Sequence, residues 1–129
     1  DRSRVWETDG HNLGPGVEDN SYSFIMSHVV FQHIGNYYVR YSILKDMFRA
    51  LEPGGIISLH FMDLMDKSVG YYSNSHIGNV NCRIVNPMFI YRDLEDIGFD
   101  TISIKTRLDK DTGLPCYFVN ASKDGTKAI

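Results

Sequence analysis

Cysteine is scarce: the chain of 129 residues has 2, Cys82 and Cys116, too far apart for a CxxC pair and too few for a disulfide framework. They read as buried thiols in a reducing, cytoplasmic setting, where the sequon-like Asn120-Ala121-Ser122 would carry no glycan. Positive charge is not in excess either, since 13 Lys and Arg stand against 16 Asp and Glu, for a net charge of −3. Such a surface lacks the field that phosphate backbones require, so nucleic acid is not expected as a partner. No apolar run approaches the ~18 residues of a membrane-spanning helix, and the polar start Asp1-Arg2-Ser3-Arg4 leads into no secretory apolar region. A membrane partner is not expected. Metal-ligand spacing is missing as well. The 5 histidines, at positions 11, 28, 33, 60 and 76, form no HxxxH, and His60 with Asp63 is the nearest approach to a ligand pair. Asp109-Lys110-Asp111-Thr112-Gly113 has its glycine one place early for a calcium loop and no Glu at the twelfth position, so it reads as a turn. No metal is expected. No Gly-x-x-x-x-Gly-Lys loop is found, which disfavours a phosphate-loop nucleotide binder.

What is present suits one domain over residues 1–129. Hydrophobic residues make up 43%, and 8 Tyr, 7 Phe and 1 Trp supply material for a core. Arg4 to Thr8 is short, β-branched and aromatic, ends at the turn signal Asp9-Gly10, and reads as a strand. Ser23 to Val30 is a nearly continuous apolar run, the pattern of a strand covered on both faces. The period then changes: Tyr37, Tyr41, Leu44, Phe48 and Leu51 recur at helical spacing, with Arg40, Lys45, Asp46 and Arg49 mostly elsewhere on the wheel. Pro53 and Gly54-Gly55 stop that helix. Ile56 to Phe61 is the next strand, completing a βαβ unit that should cross over right-handedly into a parallel pair. Residues 66–85 read as a loop or lid. Asn86-Pro87 starts a second helix carrying Ile90, Leu94 and Ile97, and Gly98 stands where a helix-ending glycine belongs. Thr101 to Lys105 and Cys116 to Val119 are joined by a connection short enough for an antiparallel hairpin. The expected order is β, β, α, β, α, β, β, an α/β chain that is mainly parallel and closes in a hairpin.

These residues carry a resemblance. Ser27-His28-Val29-Val30-Phe31-Gln32-His33-Ile34, a helix, Phe48-Arg49-Ala50-Leu51-Glu52-Pro53-Gly54-Gly55 and an apolar strand together resemble the class I S-adenosylmethionine-dependent methyltransferases. In that family the fourth strand ends in a Val-Leu-x-His-like turn, and a helix ending in Arg-x-Leu-x-Pro-Gly-Gly precedes the fifth. Asp9-Gly10-His11-Asn12-Leu13 is similar to the family's Asp-Ala-x-x-Leu segment. Leu94 to Phe99 is similar to its Leu-x-x-x-Gly-Phe ending, and the hairpin to its reversed last strand. The resemblance covers nearly the whole chain but omits two family features: the glycine-rich loop after the first strand and the acidic residue ending the second. Gly14-Pro15-Gly16 is no substitute, since it follows the wrong segment and opens no helix. By resemblance, this is the C-terminal portion of a truncated Rossmann-like methyltransferase sheet, and it looks like the downstream part of something longer.

The resemblance implies S-adenosyl-L-methionine as cofactor and methyl transfer to an unidentified, small-molecule or other, acceptor. It places Asp9 at the adenine amino group and Gly10 under the ring. Ser27, His28 and Val29 come at the carboxyl end of a central strand, where ligands bind in open α/β sheets. His33 becomes the candidate catalytic base, and Tyr71, Tyr72 and His76 the candidate residues over the acceptor. The family's strand order also implies that Phe24 to Val30, without its neighbour, is an apolar edge able to template association. A homodimer, or pairing with a missing N-terminal half, is therefore expected, unless Val5 to Thr8 folds back over the edge. The isolated chain should be inactive. A non-catalytic scaffold that associates through the same edge is the alternative.

Overall fold

A computed structural model describes residues 3–64, 68–74 and 80–124. Its main sheet has four strands: β1 (Tyr22–Ser27), β2 (Leu51–Met62), β5 (Asp100–Leu108) and β6 (Pro115–Ser122). The strands lie in the order β1-β2-β6-β5. β1 runs parallel to β2, while β6 is antiparallel to both β2 and β5. Two short strands, β3 (Ser68–Val69) and β4 (Asn81–Cys82), form a separate parallel pair. The helices are α1 (Tyr37–Ala50), between β1 and β2, and α2 (Met88–Ile97), between β4 and β5, with one 3-10 turn at Phe31–His33. The expected βαβ unit and the closing hairpin are both present.

No strand forms at Arg4 to Thr8, which is exposed coil. A strand is held by ladder bonds to a neighbour, and this segment has no strand beside it among the described residues. Nor does it cover β1, which keeps one unpaired edge in the sheet order.

α1 begins where Asn36 Oδ1 accepts from the Val39 N–H (3.1 Å), an N-cap bond. Its buried face is Arg40, Leu44, Met47 and Ala50. The expected stripe through Tyr37, Tyr41 and Phe48 is thus rotated, because Arg40, expected to face away from it, is only 2% exposed. The helix ends on Lys123, whose Nζ donates to the carbonyls of Phe48 (2.9 Å) and Leu51 (3.0 Å). α2 starts at Met88, one residue beyond the expected Pro87, and Asn86 Oδ1 accepts from the Met88 N–H (3.0 Å). Gly98 closes it at φ +126, with the Phe99 N–H on Leu94 O (3.0 Å).

Side chains alternate across each strand, and the two faces of the sheet differ. Ile57, Leu59 and Phe61 of β2 and Tyr117, Val119 and Ala121 of β6 join Leu44 and Met47 of α1 and Ile90 and Leu94 of α2 in one core. Both helices therefore cover the same face. The opposite face presents Phe24 (54% exposed) and Met26 (64%) from β1 and Phe118 (37%) from β6. A sheet with a parallel pair ordinarily has both faces covered, whereas among the described residues Phe24, Met26 and Phe118 remain exposed on this face and β1 has no second strand neighbour.

Candidate functional site

The carboxyl ends of β1 and β2 lie side by side, because the two strands are parallel and Ser27 pairs with Leu59. The crevice outside such strand ends is where open α/β sheets bind ligands. β1 ends abruptly: Val29 has φ +58, a conformation that a β-branched residue rarely adopts. Its N–H leaves the ladder and donates to His60 Nδ1 (3.3 Å). His60 is 5% exposed, its ring 4.3 Å from that of His28 and 5.0 Å from that of Phe118. Burial, with His28 adding to it, holds the His60 pKa below the ordinary histidine value. Val29 and Val30 are exposed beside this pair.

The 3-10 turn that follows seats Phe31 in the core, stacked on Phe61 at 5.2 Å, and leaves His33 exposed. His33 Nδ1 lies 3.0 Å from Asn81 Oδ1. An amide oxygen only accepts, so this contact is made with Nδ1 as the donor and leaves Nε2 clear of the Asn81 side chain. The loop after the turn is tight. A Cβ on Gly35 would stand 2.7 Å from the Val80 carbonyl oxygen, so only glycine lets the two mouth segments approach this closely. At the end of β2, Asp63 accepts from Arg83 Nε (2.9 Å) and from the Ile84 N–H (3.0 Å), tying the strand end to the residues after β4.

Asp9 and Gly10 sit elsewhere. The Asp9 carboxylate accepts from the His11 N–H (2.9 Å) in a local turn. It lines a groove of about 620 Å³ with Glu7, Asn12, Asp46 and Arg49, against the last turns of α1. That end of α1 is beside the start of β1, where the Asn20 N–H donates to Arg49 O (2.9 Å). Asp46 accepts from the Leu13 N–H (2.8 Å) and Arg49 Nε (2.6 Å), and Arg49 first among its partners holds the Asp46 pKa down. The structure therefore brings Ser27, His28 and Val29 together with His60, and places Asp9 and Gly10 in a separate cluster. Without a strand at Arg4 to Thr8, nothing aligns the Asp9 turn with the strand ends.

Tyr71 is not a lid residue. It is 4% exposed, and its hydroxyl donates to Asp93 Oδ2 (2.6 Å). Tyr37 donates to Asp93 Oδ1 (2.7 Å), and the Arg40 guanidinium lies 4.7 Å from the Tyr71 ring centre and donates to the Tyr71 carbonyl. Burial raises the Tyr71 and Asp93 pKa values. Tyr72 is exposed at the rim of this cluster, its ring 4.9 Å from that of Tyr71 and 5.3 Å from that of Phe89. His76 lies outside the described residues. Cys82 and Cys116 are both buried free thiols, and burial raises the pKa of each. The Asp109 segment is the expected turn, with Asp109 Oδ2 accepting from the Thr112 N–H (2.9 Å) and hydroxyl (2.8 Å). Among the described residues, no helix is long and apolar enough to cross a membrane.

Comparison with known proteins bears on the fold. Residues 2–59 match the family model described as a methyltransferase domain. No curated protein matches the chain. Solved structures do. A methyltransferase of Methanosarcina mazei described as S-adenosylmethionine-dependent is 16% identical, with a TM-score of 0.59 over 84% of this chain and 62% of that one. One from Archaeoglobus fulgidus is 18% identical, with a TM-score of 0.57 over 83% and 62%. Phosphoethanolamine N-methyltransferase 2 of Haemonchus contortus, solved with S-adenosyl-L-methionine, is 16% identical, with a TM-score of 0.57 over 82% and 34%. The chain thus spans between about a third and two thirds of the length of these structures.

Proposed function

We propose, from the premise that this chain is of the class I S-adenosylmethionine-dependent methyltransferase family, that it supplies the adenine side and acceptor side of such an enzyme. The observation that carries this reading is a coincidence of independent signals: a methyltransferase-domain sequence over residues 2–59 and a sheet that ends in the order β1-β2-β6-β5 with β6 reversed. The residues fit one side of the cofactor. Exposed Val29 and Val30 beside His28 give an apolar platform at the strand ends, whereas no glycine-rich loop follows a strand to receive the methionine part. We assign Ser27, His28 and Val29 to the cofactor and Tyr72 with His76 to the acceptor side, and leave out Asp9 and Gly10, whose turn lies in the separate cluster against α1. Tyr71 supports that rim from beneath. The cofactor, when bound, supplies a methyl group on a positively charged sulfur already activated for displacement. The chain's task is then alignment, and we assign His33 as the base that takes the proton the acceptor gives up. The acceptor is an unidentified small molecule or other nucleophile, and we place the protein in the cytoplasm.

With one side of the pocket, the isolated chain should bind S-adenosylhomocysteine only weakly, at a Kd of about 1 mM or above, and transfer no methyl group. Nuclear magnetic resonance titration of the labelled chain should nonetheless move the amide signals of Ser27, His28 and Val29. Tight one-to-one binding, or shifts confined to another surface, would overturn the assignment.

The open β1 edge also favours association. A second copy, or an N-terminal half, would pair along Phe24 to Ser27, since the strand stops short of the expected Val30, and would cover Phe24 and Met26. Light scattering across a dilution series should show the chain leaving the monomer as concentration rises. A monomer throughout would sink the second-copy version, and with it the scaffold alternative in its self-associating form.

A further inference from the structure

We propose that His60 is a positioning residue whose neutral ring, accepting at Nδ1, holds the left-handed Val29 turn and so sets where the chain leaves β1 at the site. This rests on the reading above only in taking the strand ends as the ligand mouth. The physical case starts from the turn. Valine in the left-handed region is strained and persists only where surrounding structure over-determines it. Burial does not hold it here, because Val29 is 44% and Val30 47% exposed. What does hold it is the bond from the Val29 N–H to His60 Nδ1 (3.3 Å) and, one residue on, the His33 N–H on Val30 O (3.0 Å).

His60 can serve as an anchor because it is itself fixed. It belongs to β2, which is paired on both sides, and stands opposite Phe118 in the ladder. Its ring is clamped between those of His28 and Phe118. The sequence-level view of His60, as half of a weak metal pair with Asp63, misses this role. Asp63 is taken up by Arg83 and Ile84, and alternation puts the two residues on opposite sides of β2 or beyond its end.

An acceptor at Nδ1 requires the ring proton on Nε2. Protonation of Nδ1 would set a second donor against the Val29 N–H and release the turn. The charged and titratable groups facing His60 are His28 at the end of β1, Asp109 in the β5–β6 turn, and, across Phe118, Lys105 and Arg107 of β5. Acid release should follow the His60 ring itself, below the ordinary histidine range.

The test uses the whole chain and needs no ligand. Long-range nitrogen–proton spectra should show His60 as the Nε2–H tautomer. The Val29 amide should exchange slowly with solvent at neutral pH and lose protection as that ring protonates. His60→Asn, which can present an oxygen near the place of Nδ1, should retain most of the protection. His60→Phe should lose at least tenfold at Val29 and leave the β2–β6 ladder amides of Leu59 and Val119 protected. In a Val29→Gly background, where the turn carries no strain, His60→Phe should perturb the Phe31–His33 turn far less. A ring proton on Nδ1, or equal Val29 protection in His60→Phe, overturns the proposal. If these results hold while S-adenosylhomocysteine moves no signal at the strand ends, the positioning role stands and the cofactor reading alone falls.

Discussion

Replacing Asp93 by alanine should destabilise the fold by about 3–5 kcal/mol, the range for removing one partner of a buried charged cluster. Asp93 is 5% exposed and its two carboxylate oxygens accept from Tyr71 (2.6 Å) and Tyr37 (2.7 Å). The Tyr71 hydroxyl is inside the protein and would be left without an acceptor. Arg40, 2% exposed, would keep its charge and lose the carboxylate that opposes it. Asp93→Asn is the informative control. Its oxygen can accept from one tyrosine and its amide can donate to the other hydroxyl, so the loss should be smaller, roughly 1–2 kcal/mol. The two variants should also respond differently to pH. Burial raises the Asp93 pKa above its ordinary 3.8. A raised folded-state value means that the contribution is complete below the unfolded pKa and declines as pH rises through the folded one. Asp93→Asn should therefore compare worst with the parent in acid and best near neutrality. Urea unfolding at several pH values reads this directly. Equal losses for Ala and Asn at every pH would show that the shape and neutral hydrogen bonds that Asn keeps contribute nothing at Asp93.

That cluster marks a boundary of what the sequence reveals. Local rules located both helices, because the stop at Pro53-Gly54-Gly55, the start at Asn86-Pro87 and Gly98 act through neighbours a few residues away. Alternation and apolar runs located β1, β2, β5 and β6. The same rules failed at Arg4 to Thr8, where composition favours a strand but no neighbour strand supplies ladder bonds. They failed again at Arg40, whose burial comes from the carbonyls of Ile34 and Tyr71 and from the Tyr71 ring, 31 residues away. No helical wheel contains that partner. At the site, the Ser27 to Ile34 segment was legible as a strand end, and His33 as a polar group near it. His60 was visible only as a histidine in an apolar strand. Its bond to Val29 spans 31 residues and depends on β1 and β2 being parallel and in register. Asp9 shows the converse case, in which a motif with a family counterpart forms a local turn away from the strand ends.

Phe61→Ala should be comparable in size, a loss of about 3–5 kcal/mol for a buried phenylalanine, against a total of about 5–15 kcal/mol for a domain. Phe61 is 1% exposed on the core face of β2 and stacks at 5.2 Å on Phe31, which is fully buried in the 3-10 turn. Truncation removes the apolar transfer energy of the ring and leaves a cavity beneath that turn. The turn's other ties are polar: the Ile34 N–H reaches Phe31 O (3.1 Å), the His33 N–H reaches Val30 O (3.0 Å), His33 Nδ1 lies 3.0 Å from Asn81 Oδ1, Arg40 donates to Ile34 O, and Cys82 Sγ lies 3.9 Å from the Phe31 carbonyl. Stability and site geometry should therefore fall together. Amide exchange at His33 and Ile34 should accelerate beyond what the global loss accounts for. Leu94→Ala separates the two effects. Leu94 is fully buried on α2, and its loss should cost about 2–5 kcal/mol while leaving exchange at His33 and Ile34 in step with global unfolding. If both variants loosen that turn to the same extent, the Phe31–Phe61 stack is ordinary core and not the support that holds His33 at the mouth.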